Sequence, residues 1–463
     1  MVRVFRVSVP TSIFVLIVSE LLILTCCYCL ATYWLLQVDP LIFLLDEGGL
    51  GRILLVCGSI ILGLHFLDLY SEFQTVSKIG LLLEIAQAIG FAFLVQAFIA
   101  YLNQNWVIPR WVMITGSGMA LVALGAWRVL YDAVFLAQVG LQRILFLGRN
   151  AVVRDIAEYL PQHPEIGWLN LGYLDDASQP GEMLHAAPVL GGVKDLRRIA
   201  EEASPDRIII GMTERRDRMP VQDLLDLRFS GIMIEEAGAA YETVCGRICT
   251  KELRPSQLIF SGELGPRPAN LALQTCYSFP LALFGFIIAL PVMILAAVAV
   301  RLTSKGPALF RQVRVGLSGK PFTLYKFRSM RLDAEAGTGA VWATKDDPRI
   351  TMVGKWIRKL RVDELPQLWN VLRGDMSIVG PRPERPEFVR ILSEKIPYYP
   401  QRHSVKPGIT GWAQINHKYG DTIEETVTKL EYDLYYIKHM CMSLDLYVMF
   451  HTVKTMLRQR GAQ

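Results

Sequence analysis

The chain has 463 residues, 52% of them hydrophobic, eight cysteines and a formal net charge of +5. That length exceeds what one core usually serves, so two or three domains are expected. The apolar residues fall in long runs, which argues against an ordinary soluble globule, and the modest charge gives no reason to expect a nucleic-acid partner.

Four apolar runs come first, at about residues 11–38, 50–69, 80–102 and 111–135. Each is near or above the roughly 20 residues that cross a bilayer core of about 30 Å. Arg3 and Arg6 precede the first run, the loop after it holds acids and no base, and Arg143, Arg149 and Arg154 follow the fourth. The positive-inside rule then places the N-terminus in the cytoplasm and returns the chain there after four crossings. The first run is too long for a signal peptide and no small-residue cleavage site follows it. Glu20, His65, Asp68 and Glu84 lie in or beside these runs. An intramembrane acid is a functional candidate, but no ordered acid–base chain points to transport, so Glu20 and Glu84 are expected to pack between helices and Asp68 to lie at the interface.

From Gln142 the pattern alternates between strands and helices: "RILFLG", "NAVVRDIAEYL", "LNLGYLDD", "VLGGVKDLRRIAEEA", "DRIIIGM" and "VQDLLDLRFSGIMIEE". This is a βαβ series and predicts a Rossmann-like parallel sheet. The first strand is followed by "GRNAVV", one glycine where dinucleotide binding needs G-x-G-x-x-G. No Tyr-x-x-x-Lys pair occurs either, so regulation, assembly or nucleotide sensing is expected of this domain rather than redox catalysis. Five of the cysteines sit in apolar runs, where a free thiol behaves as a small hydrophobe. Cys245 and Cys249 have C-x3-C spacing with no further ligand nearby, a weak metal signal, and all eight are read as structural.

A fifth apolar run, residues 271–300, is interrupted by Pro280 and Pro291. A straight span here would export residues 301–332, which hold Arg301, Lys305, Arg311, Arg314, Lys320, Lys326, Arg328 and Arg331 and no acid. That violates the charge rule. A re-entrant helix–break–helix, with Pro291 as the break, removes the conflict and leaves the basic block at the cytoplasmic headgroups.

The segment "RVDELPQLWNVLRGDMSIVGPRPERPEF" follows. Leu365, Leu368, Trp369 and Leu372 have the spacing of an amphipathic helix, Pro366 fits its first turn, and Gly374 can end it. The helix is therefore expected to start at or near Asp363. Two roles are open for that residue. It can be a plain N-cap. It can also be a carboxylate held ionised beside a phosphate by the helix terminus and by Arg358, Lys359 and Arg361, able to attack phosphorus. Glu364 could then bind Mg²⁺.

Residues from about 275 to 457 resemble the bacterial sugar transferases, polyprenyl-phosphate hexose-1-phosphate transferases with a monotopic catalytic domain. The stretches that carry the resemblance are "SKGPALFRQVRVGLSGKPFTLYKFRSM", "TKDDPRITMVGKWIRKLRVDELPQLWNVLRGDMSIVGPRPERPEF", "VKPGITGWAQIN" and "KLEYDLYYIKHMCMSLDLYVMFHTV". The resemblance implies that Asp363 attacks the β-phosphate of a UDP-sugar, expels UMP and passes the phosphosugar to undecaprenyl phosphate. It makes Glu364, with Asp363, the Mg²⁺-linked pair. It also implies phosphate or uridine contacts for Lys326, Arg328, Arg358 and Arg382, with headgroup binding as the alternative for Lys326 and Arg328. Asp347, Arg349, Gln414 and Asn416 are weaker candidates for nucleotide or scaffold roles. Two features depart from the family pattern. Thr275 and Ser278 stand roughly where Arg and Asp are expected, and the break is Leu290-Pro291 rather than Ser-Pro.

The expected architecture is thus a membrane protein in three parts. Residues 1–140 form a four-helix transmembrane bundle, 141–262 an α/β Rossmann-like cytoplasmic domain, and 263–463 a mainly α (α+β) catalytic domain with a re-entrant membrane helix. The expected place is the bacterial cytoplasmic membrane, with membrane lipid as a partner and surface enough for a homodimer. A scaffold or nucleotide sensor without catalysis is the competing reading.

Overall fold

The computed structural model describes residues 2–4, 7–9, 11–36, 39–67, 69–70, 78–131, 141–185, 187–212, 219–252, 265–331, 334, 347, 349–417 and 422–457. Contacts divide the chain into two units. One holds Met1–Arg3, Ser8–Asn150 and Ala157–Glu235; the other holds Val4–Val7, Ala151–Ile156 and Glu236–Gln463.

In the first unit, α1 (Thr11–Leu35), α2 (Gly49–Phe66), α3 (Lys78–Leu102) and α4 (Arg110–Leu130) form from the four apolar runs. Each is long and apolar enough to cross a membrane. They share one apolar cluster, including Leu24 and Tyr28 of α1, Ile60 of α2, Ile85 and Ala88 of α3, and Leu124 of α4. Small residues let the backbones approach: a Cβ on Gly63 would stand 3.0 Å from Ala88 Cα. Glu20 is fully buried, and its carboxylate takes hydrogen bonds from Arg128 Nε at 2.5 Å and from the Tyr70 hydroxyl at 2.5 Å. Glu20 therefore pairs across helices, as the sequence suggests, with a partner that sequence reading did not single out. Glu84 is half-buried, and Asp68 lies outside the described residues.

The same unit contains the parallel sheet. Its strands are β1 (Gln142–Leu147), β2 (Trp168–Leu174), β3 (Met183–Leu184), β4 (Ala187–Gly191), β5 (Arg207–Ile210) and β6 (Met233–Glu236), in the order β3-β4-β2-β1-β5-β6. β1 pairs in parallel with β2 and β5, and β2 with β4, whereas β3 runs antiparallel to β4. Helices α5 (Ala151–Tyr159), α6 (Leu196–Ala203) and α7 (Val221–Phe229) complete the βαβ series. The lone glycine after β1 has a structural cause. Gly148 has φ +89°, and a Cβ there would meet the Gly211 carbonyl oxygen at 2.7 Å.

The second unit begins earlier than residue 263, and residues 262 and 263 themselves lie outside the described ones. Helix α8 (Ala237–Cys245) and the turn after it belong to this unit. Ile248 joins the core formed by Val379, Trp412, Leu434 and Tyr436, and the Glu431 carboxylate accepts bonds from the Tyr241 hydroxyl and from Thr250. Cys245 and Cys249 are both buried.

The fifth apolar run is α9 (Pro268–Thr303), helical without interruption through Pro280 and Pro291. The expected break at Pro291 is thus not a loss of helix. A proline forfeits one backbone hydrogen bond and crowds the preceding turn, which a helix absorbs as a bend. After it come a hairpin, β7 (Leu309–Val315) with β8 (Pro321–Phe327), then α10 (Met352–Lys359), α11 (Gln367–Leu372) and β9 (Ser377–Val379). The unit closes with α12 (Pro386–Lys395), β10 (Gly408–Thr410), α13 (Trp412–Asn416), α14 (Ile423–His439) and α15 (Met442–Leu457), β10 lying parallel to β9.

Both halves of α9 pack on this one unit. Near its start, Gln274 Nε2 donates to the Val379 carbonyl, the Tyr436 hydroxyl and Asp445 Oδ2 at 3.1, 2.8 and 2.8 Å. Ser278 Oγ meets Ser377 Oγ at 3.0 Å, whereas Thr275 is exposed and bonds its own helix. So the altered "LQTCYSF" start anchors the helix through Gln274 and Ser278. Near its end, Ala296 and Val300 pack with Phe327 and Ile357. Between these anchors Ile287 and Ile288 are 61% and 60% exposed.

Candidate active site

Arg361 takes a left-handed conformation (φ +54°), which tightens the chain into a 3-10 turn at Val362–Glu364 before α11 begins at Gln367. Asp363 is therefore inside a turn. It is not the N-cap expected from the sequence, and α11 has Pro366 at that position with no side-chain cap. Gly374 does end α11 in the left-handed region (φ +83°).

The turn presents two carboxylates with opposite surroundings. Glu364 Oε1 accepts from Arg382 Nη2 at 2.8 Å and from Lys326 Nζ at 3.2 Å, and its Oε2 lies 3.8 Å from Arg361 Nη1. Burial pushes the Glu364 pKa up, but Arg382, Lys326 and Arg361 outweigh it and hold the carboxyl well below the usual range. Asp363 is 9% exposed and, among the described residues, has no hydrogen bond or ion pair. Burial and then the adjacent Glu364 charge raise its pKa, against the opposing pull of Lys326, Arg358 and Arg382. Burial also lowers the pKa of Lys326, in part offset by Glu364.

Lys326 reaches the turn from β8, and Arg382 from the Gly-Pro-Arg-Pro loop after β9. The loop is held by backbone: Gly380 N–H donates to the Thr410 carbonyl at 2.8 Å, and a Cβ on Gly380 would collide with the Lys406 carbonyl. Behind it stands Arg402, which sequence reading missed. Its Nη2 donates to the Arg382 carbonyl at 3.0 Å, and Nε and Nη2 bind Asp433 Oδ2 at 3.0 and 2.8 Å. Asn370 was missed too. It is fully buried, accepts the Tyr325 N–H at 3.1 Å and donates to the Thr323 carbonyl at 2.7 Å, fixing β8 beside the turn.

The remaining candidates separate. Arg358 is tied to Ser329 Oγ at 2.9 Å and acts electrostatically on both Asp363 and Asp347. Asp347 and Arg349 engage each other, with Arg349 Nη2 2.5 Å from Asp347 Oδ2, and this pairing lowers the Asp347 pKa to about 2. Arg328 donates to the Ser304 and Lys305 carbonyls at 2.8 and 2.7 Å, closing the C-terminus of α9. Asn416 caps its own helix through the Trp412 carbonyl, and Gln414 lines a pocket beside Glu364.

The donor set suits Mg²⁺. One carboxylate is ionised far into acid, its neighbour has unclaimed oxygens, and both lie among cations that would attract phosphate. Among the described residues no three His, Cys, Asp or Glu side chains converge, so a bound ion would draw on this pair together with substrate oxygens.

The profile of a family described as "Bacterial sugar transferase" matches residues 269–459, and one described as "CoA-binding domain" matches residues 65–226. A UDP-glucose:undecaprenyl-phosphate glucose-1-phosphate transferase of Xanthomonas campestris pv. campestris is 34% identical over 392 residues, 80% of this chain and 78% of the relative. A protein with the same description from Klebsiella pneumoniae is 35% identical over 67% of each chain. The chain belongs to the bacterial sugar transferases. It is an enzyme of the phosphoglycosyl transferase type. A UDP-N-acetylgalactosamine-undecaprenyl-phosphate N-acetylgalactosaminephosphotransferase of Aeromonas hydrophila is 44% identical over 222 residues, 48% of this sugar transferase and about half (52%) of that relative's length.

Proposed function

We propose that the protein transfers a hexose-1-phosphate from a UDP-sugar to undecaprenyl phosphate, releasing UMP, as the priming step of exopolysaccharide synthesis. The observation that carries this is the asymmetry of the dyad. Glu364 Oε1 is bonded to Arg382 and Lys326, while Asp363, buried beside them, has no partner among the described residues. An oxygen of Asp363 attacks the donor β-phosphorus, the bond from that phosphorus to the bridging oxygen breaks, and UMP leaves with the electron pair. Lys326, Arg358 and Arg382 offset the charge that builds on the phosphoryl oxygens. An oxygen of the lipid phosphate then attacks the same phosphorus, the acyl-phosphate bond breaks, and Asp363 is restored as a carboxylate. Mg²⁺ held by Glu364 and Asp363 would supply charge neutralisation of the diphosphate.

The fifth apolar helix supports a re-entrant placement. Residues toward both ends of this helix pack on the same unit and its middle is exposed, which supports a placement with both ends on one side of a bilayer. The basic block after it suits the cytoplasmic face of the bacterial inner membrane.

The test is the nucleotide product. Full-length protein in nanodiscs, with Mg²⁺ and undecaprenyl phosphate, is offered UDP-glucose, UDP-galactose and UDP-N-acetylgalactosamine. UMP release from one donor, abolished by Asp363→Asn, is expected. UDP release, or UMP release that survives the substitution, would refute the covalent route.

A further inference from the structure

The acceptor needs a site from which its phosphate reaches Asp363 while its hydrocarbon stays close to the bilayer. A pocket of about 180 Å³ adjoins the dyad. Glu364, Arg361 and Gln414 give its lining polar groups, and Leu365, Leu368, Ile409 and Ile415 give it apolar ones. The exposed lining is chiefly carbon, and the hydroxyls of Thr410 and Thr452 satisfy each other at 2.6 Å. The Leu368 wall continues onto the membrane helix: a Cβ on Gly285 would lie 3.8 Å from its Cδ atoms, and the Phe286 ring packs 6.2 Å from Trp369. Among the described residues, none that lines the pocket offers an aromatic face on which a base could stack.

Arg361 is the second observation. A residue with a Cβ held at φ +54° costs energy, and here the turn fixes it, with its N–H bonded to the Arg358 carbonyl at 3.0 Å. The outcome is an arginine lining a mainly apolar pocket, its guanidinium 3.8 Å from a Glu364 oxygen. Such a combination matches a phosphate ester with a hydrocarbon tail and mismatches a nucleotide.

We propose that this pocket seats the phosphate-proximal isoprene of a polyprenyl phosphate and that Arg361 contacts the acceptor phosphate. The inference rests on the phosphosugar-transfer reading above, and its test separates the two. Full-length protein in nanodiscs is assayed for the UMP burst without acceptor, which reports the donor step, and for the acceptor KM. Leu368→Trp and Ile409→Trp fill the pocket and should raise the acceptor KM by about ten-fold or more, with the burst rate within about two-fold. Arg361→Gln should shift the acceptor KM the same way and Arg361→Lys should restore part of it. A slower burst with unchanged acceptor KM would assign the pocket to the nucleotide and overturn the proposal, as would no effect on either.

A polyprenyl phosphate carrying a diazirine on its first isoprene, crosslinked to the wild-type protein, gives a readout independent of any variant's folding. Label at residues 361–368 or 409–415 is expected, and label confined elsewhere overturns the proposal. If the wild-type protein gave no UMP burst, the reaction reading would fail, while the crosslink would still report on the pocket.

Discussion

Arg402 donates to the backbone carbonyl of Arg382 at 3.0 Å, so the cation that grips Glu364 is itself held from behind. The same guanidinium is neutralised by Asp433 on α14 and braced by the Tyr399 hydroxyl at 2.9 Å. Arg402 touches neither carboxylate of the dyad. It is a positioning residue.

Removing Asp433 should therefore do two separable things. Asp433→Asn leaves Arg402 as a buried charge without its counterion, and breaking such a pair costs about 3–5 kcal/mol, read as a lower Tm. In the fraction that stays folded, a loosened Arg382 pulls less on Asp363. The acid limb of the UMP-burst rate should then move to higher pH. A merely structural role would lower Tm and leave that limb in place.

The dyad predicts a pH dependence whose sign follows from its two shifts. In the proposed reaction donor attack needs ionised Asp363, whose pKa is raised by burial and by Glu364, so the burst rate should fall as pH drops through a value above the ordinary aspartate range. Glu364, held low by its cations, stays ionised across that limb. Glu364→Gln removes the like charge and frees Lys326 and Arg382 to act on Asp363. Its acid limb should move to lower pH while the maximal rate falls, and a limb that stays put or rises would overturn this account. Stability runs with opposite signs for the two groups. The depressed Glu364 contributes stability above its unfolded pKa of about 4.3, lost as pH falls through the folded value. The raised Asp363 favours the fold below its unfolded value of about 3.9, and that contribution is lost as pH rises through the folded one.

Much of this was legible from spacing. The apolar runs gave five helices long enough to cross a membrane, the βαβ series gave the parallel sheet, and the basic residues around the dyad converge on it through Lys326 and Arg382. What escaped depends on long-range pairing or on backbone detail. Asp433 lies 31 residues from Arg402, and neither carries a local pattern. Periodicity assigned the buried face of α11 to its large apolar residues, yet Trp369 is 48% exposed and Asn370 is fully buried. The edge of β8 needs an amide to satisfy its backbone, and the apolar stripe is turned toward α9 and the pocket. The N-cap expectation failed because the left-handed Arg361 starts a 3-10 turn before any α-helix forms. Arg328, matched to a phosphate role by its motif, donates two of its groups to the Ser304 and Lys305 carbonyls just after α9, a pairing with no local pattern.

Glu20 and Arg128 give the last prediction, because an ion pair buried between long apolar helices can be structural or functional. Arg128 also donates to the Leu69 carbonyl at 3.0 Å, so the pair ties α1 and α4 to the end of α2. Glu20→Leu or Arg128→Leu alone strands one buried charge and should cost about 3–5 kcal/mol, seen as a lower Tm in detergent. Replacing both by leucine removes the desolvation penalty together with the attraction, so the double variant should lie well above either single one. UMP release per folded molecule should be unchanged throughout, since the dyad and its cations sit in the other unit. A double variant as unstable as the singles would mean that the pair's hydrogen bonds to Tyr70 and Leu69, rather than the balance of its charges, hold the helices.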